Sequence, residues 1–318
     1  MLLPILSLLA GFILLMWSAD TFTDNGAKIA RIFNISPLVI GLLIFGFGTS
    51  APEMLVSGLA AYDGTPEMSI GNAFGSNIFN IGLVLGVTAI ILPVTVEKSV
   101  LKKEWLFLFL STLVAGFLLL DGILSLTNGL ILLALLSLFL TSVFIDSKKS
   151  NHIDTDSLEN HPQNQEKGKT WLLLIVSLIL LVSSAKLVVW GAVSIADFFK
   201  IDELIIGLTV VALGTSLPEL AVSISSALKK QHQMVIGNII GSNLFNTLGV
   251  LAIPALIVPF TPKLILEVPP EVMSRDFFFM LMFTLLVLIL SMRLKISRFG
   301  GFILLTALTI YLYQLFWI

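Results

Sequence analysis

Apolar segments of about 20 residues follow one another along almost the whole chain, and they restrict it to one kind of fold. Of the 318 residues, 57% are hydrophobic and 12% are charged, and the mean hydropathy of +1.02 is too high for a soluble protein of ordinary composition. A hydrocarbon core about 30 Å thick requires roughly 20 apolar residues in a helix that crosses it. We therefore predict an all-α polytopic membrane protein in a lipid bilayer. Ten transmembrane helices are predicted at residues 2–20, 36–62, 68–93, 104–121, 123–145, 170–198, 203–229, 234–260, 275–292 and 299–317.

Lysine and arginine residues are unevenly divided between the two faces that ten spans would create. One face holds 14 of the 18 basic residues and the other holds only Lys200, Lys263 and Arg275, while Lys186 lies within a span. Because cytoplasmic loops are enriched in Lys and Arg, the richer face is predicted to be cytoplasmic. Both termini are then outside, and the polar segment 146–170 is a flexible cytoplasmic linker. The compact chain favours a bacterial inner membrane.

The residues that the sequence lacks exclude several kinds of site. Without cysteine, the chain has no disulfide framework, thiolate chemistry or cysteine-based metal site. The three histidines, His152, His161 and His232, all lie in predicted loops, which removes the usual histidine ligand and proton relay from the membrane interior. No cofactor and no nucleic-acid partner is predicted, and the sequence does not determine the oligomeric state.

The chain contains an internal duplication at a constant offset of 166 residues. Aligned without gaps, residues 36–86 match residues 202–252 at 23 of 51 positions. The matches include polar residues that general apolar similarity would not align, above all Glu53 with Glu219. The two halves of the chain are therefore two copies of one unit.

Each half contains five predicted spans, and this odd number determines their relative orientation. The second copy must enter the membrane from the opposite side, so we predict two inverted-topology five-helix repeats with broken helices at an ion site. The first repeat covers 1–145, with its most similar segment at 41–86. The second covers 171–318, with the matching segment at 207–252. Secondary transporters commonly have this architecture, with the site between the repeats near the midplane.

The repeated segments contain GTSAPE at 48–53 and GTSLPE at 214–219. Because proline lacks an N–H, the carbonyl of Gly48 or Gly214 four residues earlier loses its helical donor. At membrane depth such a carbonyl must be buried in protein or line a cavity, and a cation is one partner that can satisfy it. An acid at the midplane costs about 2.5 kcal/mol or more, so two at matching points indicate function. The oxygen donors are Thr49, Ser50, Glu53, Thr215, Ser216 and Glu219.

The next span of each half contains GNAFGSNIFN at 71–80 and GNIIGSNLFN at 237–246. Each motif places a serine and an asparagine four residues apart, on one face of a helix. Together with the carboxylates these groups form a set of hard oxygen donors. Ca²⁺ takes about six to eight oxygens at about 2.3–2.6 Å and Na⁺ uses similar donors, whereas copper and zinc favour softer ligands. The residues concerned are Ser76, Asn80, Ser242 and Asn246.

Other polar residues within or near the spans are interpreted as structural. Asn77 and Asn243 are expected to form hydrogen bonds between helices. Asp20 and Asp24, near the end of the first predicted span, are expected at the membrane interface. Lys186, in the sixth span, is expected to reach the interface or to pair, and it is assigned no ion-binding role.

These motifs resemble those of a known family, the cation/calcium antiporters, and within it the prokaryotic sodium/calcium exchangers. GTSAPE with GSNIFN, and GTSLPE with GSNLFN, are similar to the family's two alpha-repeats, and the resemblance covers essentially the whole chain. It implies that the second, third, seventh and eighth spans surround a cluster of cation sites, while the first and sixth spans slide across this bundle. It also implies electrogenic antiport of Na⁺ against Ca²⁺ by alternating access. The ligands implied by position are Thr49, Ser50, Glu53, Ser76, Asn80, Thr215, Ser216, Glu219, Ser242 and Asn246, with Ala212 through its backbone carbonyl.

One residue departs from the family pattern, since some prokaryotic exchangers have an aspartate where this chain has Asn246. With asparagine at both Asn80 and Asn246, the site offers two formal negative charges, those of Glu53 and Glu219, rather than three. The number of cations bound and any protonation step at this position therefore stay open.

The expected mechanism follows from charge balance, and the protein is not expected to be an enzyme. One Ca²⁺ neutralises the two glutamates, and several Na⁺ ions compete for the same oxygens. Proton/calcium antiport is the nearest alternative, and exchange that depends on potassium or uses another divalent cation stays open. An intramembrane hydrolase using Ser50 or Ser216 would need a base beside the serine, and no His or Lys accompanies either one. A channel, which needs no counter-ion, is not distinguished by sequence.

Overall fold

The protein is described here by a computed structural model, which covers residues 1–150, 164–200, 212–261 and 265–317. The described chain is almost entirely helical, with one short antiparallel pair of strands, β1 (Val94–Thr95) and β2 (Lys295–Ile296). The helices are α1 Leu2–Ile32, α2 Pro37–Tyr62, α3 Glu67–Ile91, α4 Lys98–Lys102, α5 Glu104–Leu118, α6 Leu126–Ser150, α7 Asn164–Phe198, α8 Ala212–Thr215, α9 Leu217–Leu228, α10 His232–Phe260, α11 Val272–Arg293 and α12 Arg298–Trp317.

Eight of the helices in the described ranges are long and apolar enough to cross a membrane: α1, α2, α3, α6, α7, α10, α11 and α12. They correspond to eight of the predicted spans. The predicted span 104–121 corresponds to α5, which has 15 residues. The predicted span 203–229 is described only from α8 onward, because residues 201–211 lie outside the described ranges. The all-α membrane fold is confirmed, and the count of ten stays a prediction.

Helix α1 is longer than the sequence predicted. The predicted span ended at residue 20, whereas the helix continues to Ile32. The prediction stopped at Asp20 because a carboxylate is unfavourable in an apolar span. In the structure Asp20 and Asp24 both form ion pairs with Lys229, which follows α9, so these charges do not end the helix.

The predicted linker 146–170 is helical at both of its ends. Helix α6 continues to Ser150 and α7 begins at Asn164, while residues 151–163 lie outside the described part of the chain. The sequence prediction treated the whole polar segment as linker because it lacks an apolar face. Good helix formers such as Gln165, Glu166 and Lys167 favour continuation of α7 beyond its apolar part.

Local structure repeats at the same offset as the sequence. The second residue after α1 or α7 has a left-handed conformation in both halves, with φ of 51° at Asn34 and 54° at Lys200. The turns after α2 and α9 match in the same way, with φ of 84° at Gly64 and 59° at Lys230. Within α1 and α7, Ser18 and Ser184 each donate a hydrogen bond to the carbonyl three residues earlier, at 3.0 and 2.8 Å. The ungapped alignment thus extends over the first two helices of each half.

The helices enclose two groups of buried apolar side chains. The larger group joins α3, α5, α6, α10, α11 and α12. The smaller group joins α1, α7 and α9 to the start of α2, where the Phe22 and Phe45 rings lie with centroids 4.8 Å apart. Helices α2, α3, α9 and α10 contribute side chains to these groups. They carry all of the predicted ligands except Thr215 and Ala212, which belong to α8, and Ser216, which follows it.

Candidate cation-binding site

Helices α2 and α10 cross with their backbones in contact, because glycine occupies both sides of the crossing. A Cβ atom added at Gly41 would lie 2.9 Å from Cα of Gly237, and one added at Gly46 would lie 2.8 Å from Cα of Gly241. A Cβ atom added at Gly241 would lie only 2.3 Å from the carbonyl oxygen of Leu42. Small residues at the contact are a common means of close helix packing in membranes. Here they join a helix of the first half to one of the second.

This crossing brings predicted ligands from the two halves into direct contact. The Thr49 hydroxyl lies 3.2 Å from the Ser242 hydroxyl, and it donates a hydrogen bond of 2.9 Å to the Phe45 carbonyl. The Ser242 hydroxyl donates a hydrogen bond of 3.4 Å to the Gly46 carbonyl. Residues 193 positions apart in sequence therefore form one oxygen-rich surface.

Glu53 and Glu219 are both buried in this region, each with 1% of its surface exposed. None of their four carboxylate oxygens has a well-formed hydrogen bond within the described chain. The two carboxylates interact electrostatically with each other, and the Thr49 hydroxyl lies near the Glu219 carboxylate. No Lys, Arg or His is buried among the described residues. Two buried, interacting acids are thus without a buried cationic side chain among the described residues to balance them.

Most of the other predicted ligands are also buried, and several have polar atoms without a partner. The hydroxyls of Ser50 and Ser216 and both amide atoms of Asn246 make no hydrogen bond within the described chain. The Asn80 amide donates to the Asn243 side-chain oxygen at 3.1 Å, and its own oxygen is without a partner. A buried polar atom without a partner costs about 1–3 kcal/mol, so this concentration indicates a site for a ligand of matching chemistry.

Three other predicted ligands are less well defined by geometry. The Ser76 hydroxyl is buried and lies 3.5 Å from the Asn72 side-chain oxygen. Thr215 is half-buried at the end of α8. Ala212 begins α8, and its side-chain environment lies outside the described part of the chain.

Irregular helical segments accompany the candidate site, as expected, but they are not all placed as predicted. Pro52 lies inside the continuous helical segment Gly46–Tyr62, which contradicts the predicted break there. A π-helical segment at Ile40–Phe45 comes directly before it and ends seven residues before Pro52. In the second half a true break occurs, at Ser216 between α8 and α9.

Two further π-helical segments lie beside the asparagine ligands, at Asn80–Leu85 in α3 and at Phe245–Val250 in α10. Such segments are rare and frequently occur at functional sites. The sequence analysis did not predict them, because their composition resembles that of an ordinary apolar helix.

Sequence reasoning also missed a pair of matching hydrogen-bonded clamps behind the glutamates. The Asn72 amide donates to the Glu53 carbonyl and to the Ser57 hydroxyl, both at 3.2 Å. The Asn238 amide donates to the Glu219 carbonyl at 3.3 Å and to the Ser223 hydroxyl at 3.1 Å. The identical Asn and Ser at equivalent positions of both repeats were the available signal. Each clamp ties the helix that carries a glutamate to the next helix.

Asn77 and Asn243 have the structural contacts that were predicted for them. The Asn77 amide donates to the Thr247 hydroxyl at 2.7 Å and contacts the Met280 sulfur at 3.3 Å, which joins α3 to α10 and α11. Asn243 accepts the hydrogen bond from Asn80 described above. It therefore orients a residue of the candidate site.

We expect Asn238→Ala to reduce calcium affinity about tenfold, because the loss of two buried hydrogen bonds frees the Glu219 segment to move. The matched control is Asn128→Ala, since the Asn128 amide also donates to two acceptors, the carbonyls of Leu118 and Ile123, at 2.8 and 3.0 Å. Calcium titration of the purified proteins measures the effect. Equal affinities for the two variants would assign Asn238 a role in stability alone.

Comparison with known proteins identifies the group to which this arrangement belongs. A family model described as "Sodium/calcium exchanger protein" matches residues 3–145 and 169–317, which together make up most of the chain. The chain belongs to the sodium/calcium exchanger family. The predicted resemblance is therefore confirmed, and the chain is a cation/calcium antiporter and an integral membrane protein.

Three relatives match over nearly their whole length. The chain is 41% identical to "Putative antiporter CaxA" of Alkalimonas amylolytica, covering 99% of each protein. It is 36% identical to "Inner membrane protein YrbG" of Escherichia coli, covering 100% of this chain and 98% of that protein. It is 29% identical to "Sodium/calcium exchanger MaX1" of Methanosarcina acetivorans, covering 98% of each. The family therefore includes proteins that are named as antiporters and as exchangers.

Solved structures of one family member share the fold. The sodium-calcium exchanger NCX_Mj soaked with Na⁺ and Sr²⁺ matches with a TM-score of 0.83 and 36% identity, over 97% of each chain. The same exchanger soaked with zero Na⁺ and Ca²⁺ matches with a TM-score of 0.84 and 36% identity, over 99% of each chain. Since the family consists of transporters, its membership disfavours the hydrolase considered for Ser50 and Ser216.

Proposed function

We propose that this protein exchanges Na⁺ for Ca²⁺ across the membrane by alternating access. Its ten spans form two inverted five-helix repeats, 1–145 and 171–318, around one site. The observation that carries the proposal is the pair of buried carboxylates, Glu53 and Glu219, with no buried Lys, Arg or His among the described residues. Charges buried in a low-dielectric interior must be paired or must coordinate a cation. A divalent ion balances both carboxylates at once.

The proposed ligands are hard oxygen donors from both repeats. Carboxylate, hydroxyl, amide and carbonyl oxygens suit Ca²⁺ and Na⁺, and the contact between Thr49 and Ser242 supports a shared ion that takes donors from both α2 and α10. The unpartnered oxygens of Ser50 and Ser216 and the Asn246 side chain supply further donors. The proposed set is Thr49, Ser50, Glu53, Ser76, Asn80, Ala212 through its carbonyl, Thr215, Ser216, Glu219, Ser242 and Asn246.

The free-energy cost of burying two unbalanced carboxylates explains why the protein exchanges cations without letting either one leak across the membrane. With no cation bound, Glu53 and Glu219 repel each other in a medium that solvates neither, so the change between inward and outward access is slow. Either Ca²⁺ or several Na⁺ ions remove this repulsion. Because both loads use the same oxygens, only one of them crosses at a time, and the movement of one ion is coupled to the return of the other.

The deciding experiment is uptake of radiolabelled calcium by proteoliposomes that contain the purified protein. Vesicles loaded with Na⁺ are diluted into sodium-free buffer, and a parallel set contains only an outward proton gradient. We expect uptake that requires internal Na⁺. Uptake driven by protons alone would overturn sodium coupling. It would indicate that Glu53 and Glu219, whose carboxylate oxygens are without a partner in the described chain, carry the protons.

The same vesicles test the proposed orientation. We propose that the segment 146–170 is cytoplasmic, that both termini are outside and that the membrane is a bacterial inner membrane, and the excess of basic residues on one face of the predicted topology supports this orientation. A protease site inserted between 151 and 163 is expected to be cut only from the cytoplasmic side of spheroplast membranes. Cutting from the periplasmic side would reverse the assignment.

Replacing Asn246 tests the charge balance of the site. The calcium-loaded site is neutral with two glutamates, but with Asn246→Asp at alkaline pH it carries one negative charge. We expect the rate of calcium-for-calcium exchange to be insensitive to membrane potential in the natural protein. In Asn246→Asp it should change about threefold per 100 mV, the effect of moving one charge through roughly 0.3 of a field that is worth about 2.3 kcal/mol per charge per 100 mV. Asn246→Ser is the uncharged control, and a flat response in Asn246→Asp would contradict the proposed balance.

A further inference from the structure

A cluster of ion pairs outside the candidate site joins the two halves of the molecule. The Lys229 ammonium lies 2.7 Å from a carboxylate oxygen of Asp20 and 2.6 Å from one of Asp24. It also donates a hydrogen bond of 2.9 Å to the Asp20 carbonyl, and the Ser225 hydroxyl donates to the Asp20 carboxylate at 3.1 Å. The cluster connects α1 of the first half to the end of α9 in the second half.

The internal repeat relates this cluster to a second pair of residues with reversed charges. At the offset of 166, Asp20 corresponds to Lys186, and Lys229 corresponds to Asp63. Asp63 follows α2 in the same way that Lys229 follows α9, each as the first residue beyond its helix. The matching left-handed turns and serine hydrogen bonds described above support this register in α1, α2, α7 and α9.

The reversal of both charges together carries the inference. One reversal alone, from Lys229 to Asp63, agrees with the excess of basic residues on one face. That bias does not require Lys186, which lies within a predicted span, to replace Asp20. When both positions change sign, an attractive pair stays attractive. The two positions are therefore matched to each other in each half.

The two pairs differ in this structure. The pair of Asp20 and Lys229 is formed, whereas Lys186 and Asp63 are both exposed and neither makes an ion pair with another described residue. The halves differ elsewhere too, because the helix is broken at Ser216 in the second half and continuous through Pro52 in the first. The two repeats thus have different conformations in this state.

We propose that these groups are two alternating latches. The first latch (Asp20, Asp24 and Lys229) closes in the conformation seen here, and the second latch (Lys186 and Asp63) closes in the opposite-facing conformation. The inference rests on the alternating access proposed above. When inverted repeats exchange their conformations, access changes sides, and a contact between α1 and α9 is replaced by its counterpart between α7 and the end of α2. Each latch biases the transporter towards one state.

The latches should bias the equilibrium without blocking it. Partly exposed ion pairs are individually weak, so removing one shifts the ratio of the two conformations by about twofold to tenfold. This size suits a transporter, because a stronger pair would trap one state. The two latches are expected to act with opposite signs: Lys229→Gln favours the opposite-facing conformation, and Lys186→Gln favours the conformation seen here.

Cysteine cross-linking tests the proposal without relying on transport. The chain contains no cysteine, so introduced thiols are the only ones present. Asp63→Cys combined with Lys186→Cys is treated in membrane vesicles with a short bifunctional thiol reagent, under sodium, calcium and cation-free conditions. We expect cross-linking in at least one condition, and about a fivefold higher yield when Lys229→Gln is added. Lys230→Gln, next in the chain and exposed, is the matched control and should leave the yield unchanged.

Two results would overturn the latches. One is the absence of a cross-link between positions 63 and 186 in every condition while Asp20→Cys with Lys229→Cys does cross-link. The other is an equal yield with Lys229→Gln and Lys230→Gln. Failure of the proposed function is separate: calcium uptake that is proton-driven would remove sodium coupling and leave the cross-linking pattern intact, whereas sodium-driven uptake without the cross-link would remove the latches alone.

Discussion

We expect replacement of Glu53 or Glu219 with glutamine to abolish calcium exchange while the protein still inserts into the membrane. Either change removes one of two buried charges and leaves the bound Ca²⁺ with uncompensated positive charge. Losing one partner of a buried charge pair costs about 3 kcal/mol or more, which corresponds to a decrease in exchange of more than about a hundredfold. Because glutamine has the shape of glutamate, the helix packing around it is retained. Calcium uptake into proteoliposomes measures the loss.

A matched control separates this effect from a general effect of losing a carboxylate. Glu271 is exposed near the start of α11, and Glu271→Gln should exchange calcium at the natural rate. Elution of each variant as a single species in size-exclusion chromatography would show that it is folded. Normal exchange by Glu53→Gln or by Glu219→Gln would refute the proposed site, whatever ion drives transport.

Replacing Gly241 or Gly46 with alanine should destabilise the protein and weaken calcium binding together. The added methyl group at Gly241 would lie 2.3 Å from the Leu42 carbonyl oxygen, and the one at Gly46 would lie 2.8 Å from Gly241. Neither obstacle is a flexible side chain, so α2 and α10 must separate. Overpacking of this kind costs about 1–3 kcal/mol. Thermal unfolding in detergent measures the loss of stability, and calcium titration measures the loss of affinity as Thr49 and Ser242 move apart.

Helix α2 also offers the control for this prediction. An added Cβ atom at Gly58 would lie 3.5 Å from its nearest neighbour, an ordinary contact, so Gly58→Ala should be neutral or slightly stabilising because alanine favours helix. Equal unfolding temperatures for Gly58→Ala and Gly241→Ala would show that the backbone contact at the crossing is not required.

Much of the candidate site could be predicted from the sequence because its residues occur twice. The buried positions of Glu53, Glu219 and the Ser and Asn residues of the next helices agree with the prediction from the repeated motifs. Their role as cation ligands remains a proposal. The backbone was predicted less well, because the helix through Pro52 is continuous and a π-helical segment precedes it at Ile40–Phe45. Composition and periodicity do not carry information about such a shift in hydrogen bonding.

Contacts between residues that are far apart in the sequence were the other feature that the sequence did not predict. The sequence placed Asp20 and Asp24 at the end of a span, but their pairing with Lys229 lets α1 continue for another three turns. In the same way, the clamp role of Asn72 and Asn238 depends on which carbonyl each amide reaches. A single chain without its fold does not show which residues meet.

The amino-acid sequence by itself determined that this is a helical membrane protein, that it is built from two copies of one unit, and that each copy carries an acid where lipid would exclude one. These properties follow from hydropathy, from an alignment of the chain with itself and from the cost of burying charge. Only the tertiary structure decided that Thr49 meets Ser242, that both carboxylates lie buried without a cationic side chain, and that one of two charge-reversed pairs is closed. Those depend on helix crossings, which glycine backbones and distant side chains determine together.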